Sequence, residues 1–257
     1  MFTNQLSAKG GAFLAGVLSV LIWGFPGSSA AEAPAPRIKV LLITGDDVAP
    51  AHDWPSVSAA TRDLLQESGR FEVRVCEDAG ILNSAASLQR YDVIYFALYN
   101  ARTPTPDEAA RENLLRFVRG GKGFVVAHLA SASYKEWPEF GQLCGRYWVM
   151  GTSGHGPRGK FPVRVADTTH PITRGLSGFE ADDELYAKLQ GDAPIRVLLE
   201  ADSDWSKRTE PLAFVREYGQ GRVFHHTFGH DTKALQNPAV RLLIQRGTEW
   251  AARGSVP

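Results

Sequence analysis

The sequence predicts an α/β domain built on a mostly parallel, flavodoxin-like sheet with helices on both faces and an antiparallel extension in the C-terminal half. Three observations carry that reading. Short continuous apolar runs bounded by Gly or polar residues describe strands buried on both faces. Segments of helical spacing alternate with these runs as far as residue 127. Beyond residue 160, strand patterns follow one another with few helices between them.

KVLLIT (39–44) is the first such run and ends at Gly45-Asp46-Asp47. Residues 56–68 have helical spacing, stopped by Gly69. FEVRVC (71–76) alternates as a strand does, and DVIYFAL (92–98) is a second buried run. Pro106 suits the first turn of a helix that reaches about Val118 and stops at Gly120-Gly121. GFVVA (123–127) is a third buried strand and leads into His128. FPVRVA (161–166), IRVLLEA (195–201), PLAFVRE (211–217) and GRVFHHTF (221–228) supply the antiparallel part. A helix from about Pro238 to Ala252 closes the domain.

The 257 residues carry no net charge and 22% charged side chains, which offers no basic stripe for nucleic acid. A small neutral partner suits such a surface better than a polyanion. Lys9, the apolar run Ala12 to Trp23 and the small residues Ser28 to Ala33 stand in the order of a secretory signal peptide, cleaved after Ala30 or Ala33. That run of 12 falls short of the ~20 residues that span a bilayer, which favours cleavage over a membrane anchor. Residues 1–30 are therefore expected to be the signal, 31–37 (AEAPAPR) an extended linker and 38–252 the domain. The expected location is periplasmic or secreted, with no stable membrane insertion. Cys76 and Cys144 fall in a predicted strand end and a predicted helix and read as small buried hydrophobes, with a disulfide between them left open by the sequence.

In open parallel sheets, ligands gather outside the carboxyl ends of the strands. His52 and Asp53 follow the first strand, Asn100 the strand ending at Leu98, and His128 the strand GFVVA. His230 and Asp231 follow the last strand through Gly229. Two further segments, read as loops, add Ser153-Gly154-His155 and Asp182-Asp183-Glu184. His170, before Pro171, reads as a turn cap; His225 and His226, adjacent in a strand, must face opposite sides and suit core roles. There is no HExxH and no close cysteine pair. Scattered imidazoles with a nearby carboxylate nevertheless suit a divalent ion, the carboxylate serving as ligand or as general base.

The stretches GFVVAHLASASYKEWPEF (123–140), HGPRGKFPVRVADTTHPITRGL (155–176), DDELY (182–186), YGQGRVFHHTFGHD (218–231) and RGTEWAA (246–252) come in an order that resembles the ThuA-like (trehalose-utilisation-like) family. The resemblance covers residues 38–252. It implies a fold similar to the class I glutamine amidotransferases, whose strand-to-helix elbow holds a nucleophilic cysteine. His128 takes that position here, which argues against cysteine-dependent glutamine hydrolysis. The implied partner is a sugar or 3-keto-sugar derivative, and the implied cofactor a divalent ion (zinc, iron, nickel or manganese) with no nucleotide. Matched onto this sequence, the candidates for catalysis are His128, Glu184 and Asp183. Those for substrate contact are His52 and His155, joined by Asn100 from its place after the strand ending at Leu98, and those for metal ligation are His128, His155 and His230. His225 and His226 depart from the family pattern, which more often has an aromatic and a hydroxyl residue there.

Two functions remain open on the sequence. One is an exported hydrolase or lyase acting on a carbohydrate derivative. The other is a non-catalytic sugar-binding module, with Tyr95, Tyr99, Trp137, Tyr147, Trp148 and Tyr186 as stacking faces. Either allows a homo-oligomer.

Overall fold

The computed structural model describes residues 1–3, 5, 10–11, 36–45 and 51–256. Most of the expected signal peptide, its apolar run included, most of the linker, and Asp46 and Asp47 lie outside the described residues. The fold belongs to the unit Pro36–Pro257. Its elements run β1 (Ile38–Ile43), α1 (Trp54–Glu67), β2 (Phe71–Cys76), α2 (Ala85–Leu88), β3 (Val93–Phe96), α3 (Glu108–Arg119), β4 (Gly123–Ala127) and α4 (Pro138–Cys144). They continue with β5 (Gly154–His155), β6 (Gly159–Val165), β7 (Phe179–Asp183), β8 (Tyr186–Ala187), β9 (Arg196–Ser203), β10 (Arg208–Tyr218), β11 (Gly221–His226) and α5 (Pro238–Arg253).

Nine strands form one sheet in the order β2-β1-β3-β4-β11-β10-β9-β6-β7. The first five are parallel. The remaining pairings are antiparallel. The parallel half thus has the doubly wound order in which strand succession reverses beside β1. Val40 and Leu42 face one core with Leu64 and Leu65 of α1 and Leu243 and Ile244 of α5. Leu41 and Ile43 face the other with Leu114 and Phe117 of α3 and Phe140 of α4. Helices cover both faces, so successive strand residues are all apolar, which is the pattern the sequence displays. Helix α5 lies directly on β11: a Cβ on Gly247 would stand 2.1 Å from the Phe224 ring.

Three local expectations are corrected. Pro106 stands outside α3, because Asp107 caps the helix by accepting from the Ala110 N–H at 2.9 Å. Asp182 and Asp183 are in strand β7 and not in a loop, paired with Lys160 and Gly159. Gly154 and His155 also form strand, a two-residue ladder with Ala187 and Tyr186. Both segments are too short or too polar to show a strand's alternation. Cys76 and Cys144 are free, and only Cys144 is fully buried. Among the described residues no helix is long and apolar enough to cross a membrane.

Candidate metal centre

Four segments at the carboxyl ends of β1, β4, β7 and β11 converge. Asp53 caps α1 by accepting from the Ser56 N–H at 3.3 Å, which fixes where the chain carrying His52 enters the helix. His128 makes the elbow between β4 and the 3₁₀ turn 128–132, with φ of +49°. A side-chain-bearing residue held there costs on the order of 1 kcal/mol, a strain found most often at functional sites. Its Nδ1 lies 2.7 Å from the Thr227 carbonyl oxygen, an acceptor only, so Nδ1 carries the proton and Nε2 presents a lone pair. The Tyr186 hydroxyl donates to that Nε2 at 2.9 Å.

Glu184, directly after β7, is the hub. Its Oε2 lies 3.2 Å from His230 Nδ1 and 3.6 Å from His128 Nε2, and its Oε1 lies 3.4 Å from His155 Nε2. Asp183 holds this hub in place. Its carboxylate accepts from the N–H groups of Glu184 at 2.8 Å, Gly229 at 2.7 Å and His230 at 3.2 Å, tying the end of β7 to the loop after β11.

His52, His128, Glu184 and His230 each bring one ligating atom within 4.8 Å of all the others, so this group could hold a metal ion. Ligands about 2.1 Å from one ion stand roughly 3–4 Å apart, so small side-chain rotations would close the set. The buried Nδ1 of His230 fits an ion as well: it stands 3.2 Å from Glu184 yet makes no aligned hydrogen bond. Burial, then the neighbouring His128 and His230, push the His52 pKa down to about 4, which leaves a neutral, ligating imidazole. Burial alone would raise the Glu184 pKa, but the close approach of His128 and His230 outweighs it and holds the carboxyl well below its usual range. Glu184 in turn raises the pKa of His230.

The expected ligand trio His128, His155 and His230 is therefore altered. His52, expected at the substrate, joins the cluster, and His155 stands outside it against the other Glu184 oxygen. The ladder between β5 and β8 sets this position, with the His155 ring parallel to Tyr186 at 6.0 Å. His155 Nδ1 lies 2.7 Å from the Gly156 carbonyl, so its Nε2 also carries a lone pair. Asn100 ties the loop after β3 to the one after β4: it accepts from the Tyr134 N–H at 2.7 Å and donates to the Thr103 carbonyl at 3.1 Å. The Asp183 carboxylate accepts from three backbone N–H groups and acts as a positioning group.

His170 caps its turn, accepting from the Ile172 N–H at 3.3 Å. His225 and His226 do face opposite sides, one toward the Cys144 carbonyl and the other toward the Tyr95 hydroxyl. Of the proposed stacking aromatics, Tyr95, Trp137 and Tyr186 are buried. Sequence reasoning missed a recess behind the cluster, lined by Thr44, Trp54, Ser58, Thr61 and Tyr95 together with His52, His128 and His230. The helical spacing of 56–68 was legible, but nothing in it marked Ser58 and Thr61 as facing a cavity.

The chain matches the family model described as trehalose utilisation over residues 39–251. Among solved structures it is similar to a ThuA-like protein from Parabacteroides merdae, at 30% identity and a TM-score of 0.74, covering 86% of this chain and 91% of that one. A ThuA-like protein from Bacteroides uniformis is 21% identical, with a TM-score of 0.68 over 89% of this chain and 98% of that one. A Salmonella typhimurium protein titled as cytoplasmic is 16% identical, with a TM-score of 0.61 over 84% of this chain and all of its own. The last two likenesses show the fold alone. No curated protein matches the chain.

Proposed function

The chain belongs to the ThuA family, and from that premise we propose a metal-dependent enzyme that cleaves or rearranges a carbohydrate derivative such as a 3-keto-glycoside. Family membership supports a carbohydrate-related role. The observation that carries the metal and the chemistry is the convergence of His52, His128, Glu184 and His230 within 4.8 Å.

A divalent ion held by those four residues would polarise a substrate carbonyl. The chain's own groups supply the rest. The Thr227 carbonyl fixes the His128 tautomer, and Asp183 fixes Glu184 and His230. His155, with its Nε2 lone pair beside the cluster, takes the proton from the carbon next to the ketone. The electron pair left on that carbon expels the glycosidic oxygen, and protonated His155 returns the proton to it. Cys144 has no part, since burial pushes its thiol pKa well up. The signal-like pattern of residues 9–33 supports action outside the cytoplasm.

Protein purified without added metal is expected to carry about one ion per chain, lost in His128→Ala, and to convert a methyl 3-keto-glucoside to free methanol and a sugar product. Elemental analysis and product chromatography check both. Full activity in metal-free protein would overturn the metal-dependent reading; saturable binding without product would favour a binding module.

A further inference from the structure

Resting on that reading, we propose that the buried recess behind the cluster is a subsite for one uncharged, hydroxyl-bearing edge of the substrate, recognised by the Thr44–Ser58 hydroxyl pair. The recess lies at the carboxyl ends of β1 and β3, where strand order reverses and open α/β sheets take their ligands. His52, His128 and His230 form its wall on the cluster side, and Glu184 does not border it. A group seated there would meet the cluster at its histidines and not at the carboxylate.

The wall chemistry selects the ligand class. Among the described residues, no Asp, Glu, Lys or Arg lines the recess. Away from the histidine wall, a phosphate or carboxylate seated in it would lose its water without a fixed opposite charge, which is unfavourable. A sugar hydroxyl meets matching partners. Thr44 Oγ1 and Ser58 Oγ are 2.5 Å apart, and both residues are buried. Each hydroxyl brings one proton and two lone pairs. The single bond between them uses one proton, so the pair keeps one donor and spare lone pairs for a guest. Tyr95 is less available, because its hydroxyl is engaged with His226 Nε2 at 2.8 Å. Trp54 adds an aromatic wall for the apolar face of a ring.

Size narrows the choice further. The recess has about 40 Å³ open to the centres of water-sized molecules. One water needs roughly 10–15 Å³ by that measure. Two or three such groups fit, which is one hydroxylated carbon and its neighbour and not a whole sugar ring. The subsite therefore reads an edge of the substrate and leaves the bulk of the ring outside.

Isothermal titration calorimetry of the purified protein with methyl 3-keto-glucoside, and with its 2-deoxy and 4-deoxy forms, tests the assignment. Thr44→Val and Ser58→Ala are expected to weaken binding of the full sugar about tenfold, the loss of one buried hydrogen bond. Against one of the two deoxy sugars the same variants should have no effect, and Thr44→Ser should restore wild-type affinity. Wild-type binding that both variants preserve would overturn the subsite and leave the proposed activity standing. Equal weakening of all three sugars would overturn it too, by placing the effect in the fold. A wild-type protein that binds none of the sugars would overturn the subsite and the carbohydrate reading together.

Discussion

His226 and His230 are four residues apart, yet one is closed inside the sheet and the other faces Glu184. His226 and its neighbour His225 point to opposite faces of β11 and are almost fully buried. Burial first, and then nearby positive groups, push their pKa values down to about 3 and about 4. Each spends a ring nitrogen on a neutral partner, the Tyr95 hydroxyl or the Cys144 carbonyl. His230 sits beyond Gly229, where the strand has ended, and a carboxylate raises its pKa. Residue type is the same in both places. What separates them is the end of the strand, which frees the ring to turn, and the arrival of Glu184 from the antiparallel half of the sheet.

Removing that carboxylate should break the contrast most severely. Glu184→Gln keeps the shape but not the charge, and metal affinity is expected to fall by about 100-fold or more, since even outer-shell changes cost 10–100-fold. Competition against a chelating dye measures it; unchanged affinity would place the ion elsewhere. Asp183→Asn is the next largest. Its amide would present a donor to the Gly229 N–H, loosening the link between Glu184 and His230. A 10–100-fold loss of metal affinity is expected, with the same ligands still present.

The smallest effect sharpens the other side of the comparison. His225 and His226 have folded pKa values below the unfolded 6.5. Below pH 6.5 the unfolded chain takes up protons that the folded one refuses, so stability is full above 6.5 and declines as pH falls toward about 4 and then about 3. Each histidine contributes a slope of about 1.4 kcal/mol per pH unit in that window. Urea unfolding of metal-free protein between pH 7 and 4.5 should show it. His226→Gln should flatten the slope by about one proton, whereas an unchanged slope would mean that His226 is already protonated in the fold.

The parallel half of the sheet was legible because burial on both faces leaves apolar runs that no loop produces. The antiparallel half was legible in β6, β9 and β10, and β11 was read with them although it also pairs parallel with β4; β5 and β8, a separate ladder, hold two residues each and carry no periodicity. Among site residues, His128 and His230 were legible as strand-end histidines. The place of His52 was not, because its nearness to His230 follows from the spatial order of β1, β3, β4 and β11 and from no spacing along the chain. Asp183 and Glu184 stood out as charges, but which one faces the cluster depends on the turn at the end of β7. The hydroxyl pair was hidden for a related reason: Thr44 reads as the last residue of a strand and Ser58 as one more polar position in a helix.

The four cluster side chains stand at positions 52, 128, 184 and 230, spread over most of the domain. No fragment ending before residue 230 can assemble them, since Glu184 comes from the end of β7 in the antiparallel half of the sheet and His230 from the loop after β11. Closing such long-range pairings is the slow part of folding. An ion bound there would consequently recognise the finished topology and no partly folded state. At a free concentration 100 times its dissociation constant it would add about 2.7 kcal/mol to the native state. The centre would then also serve as a late checkpoint, one that rewards only a chain whose two sheet halves have met in the correct order.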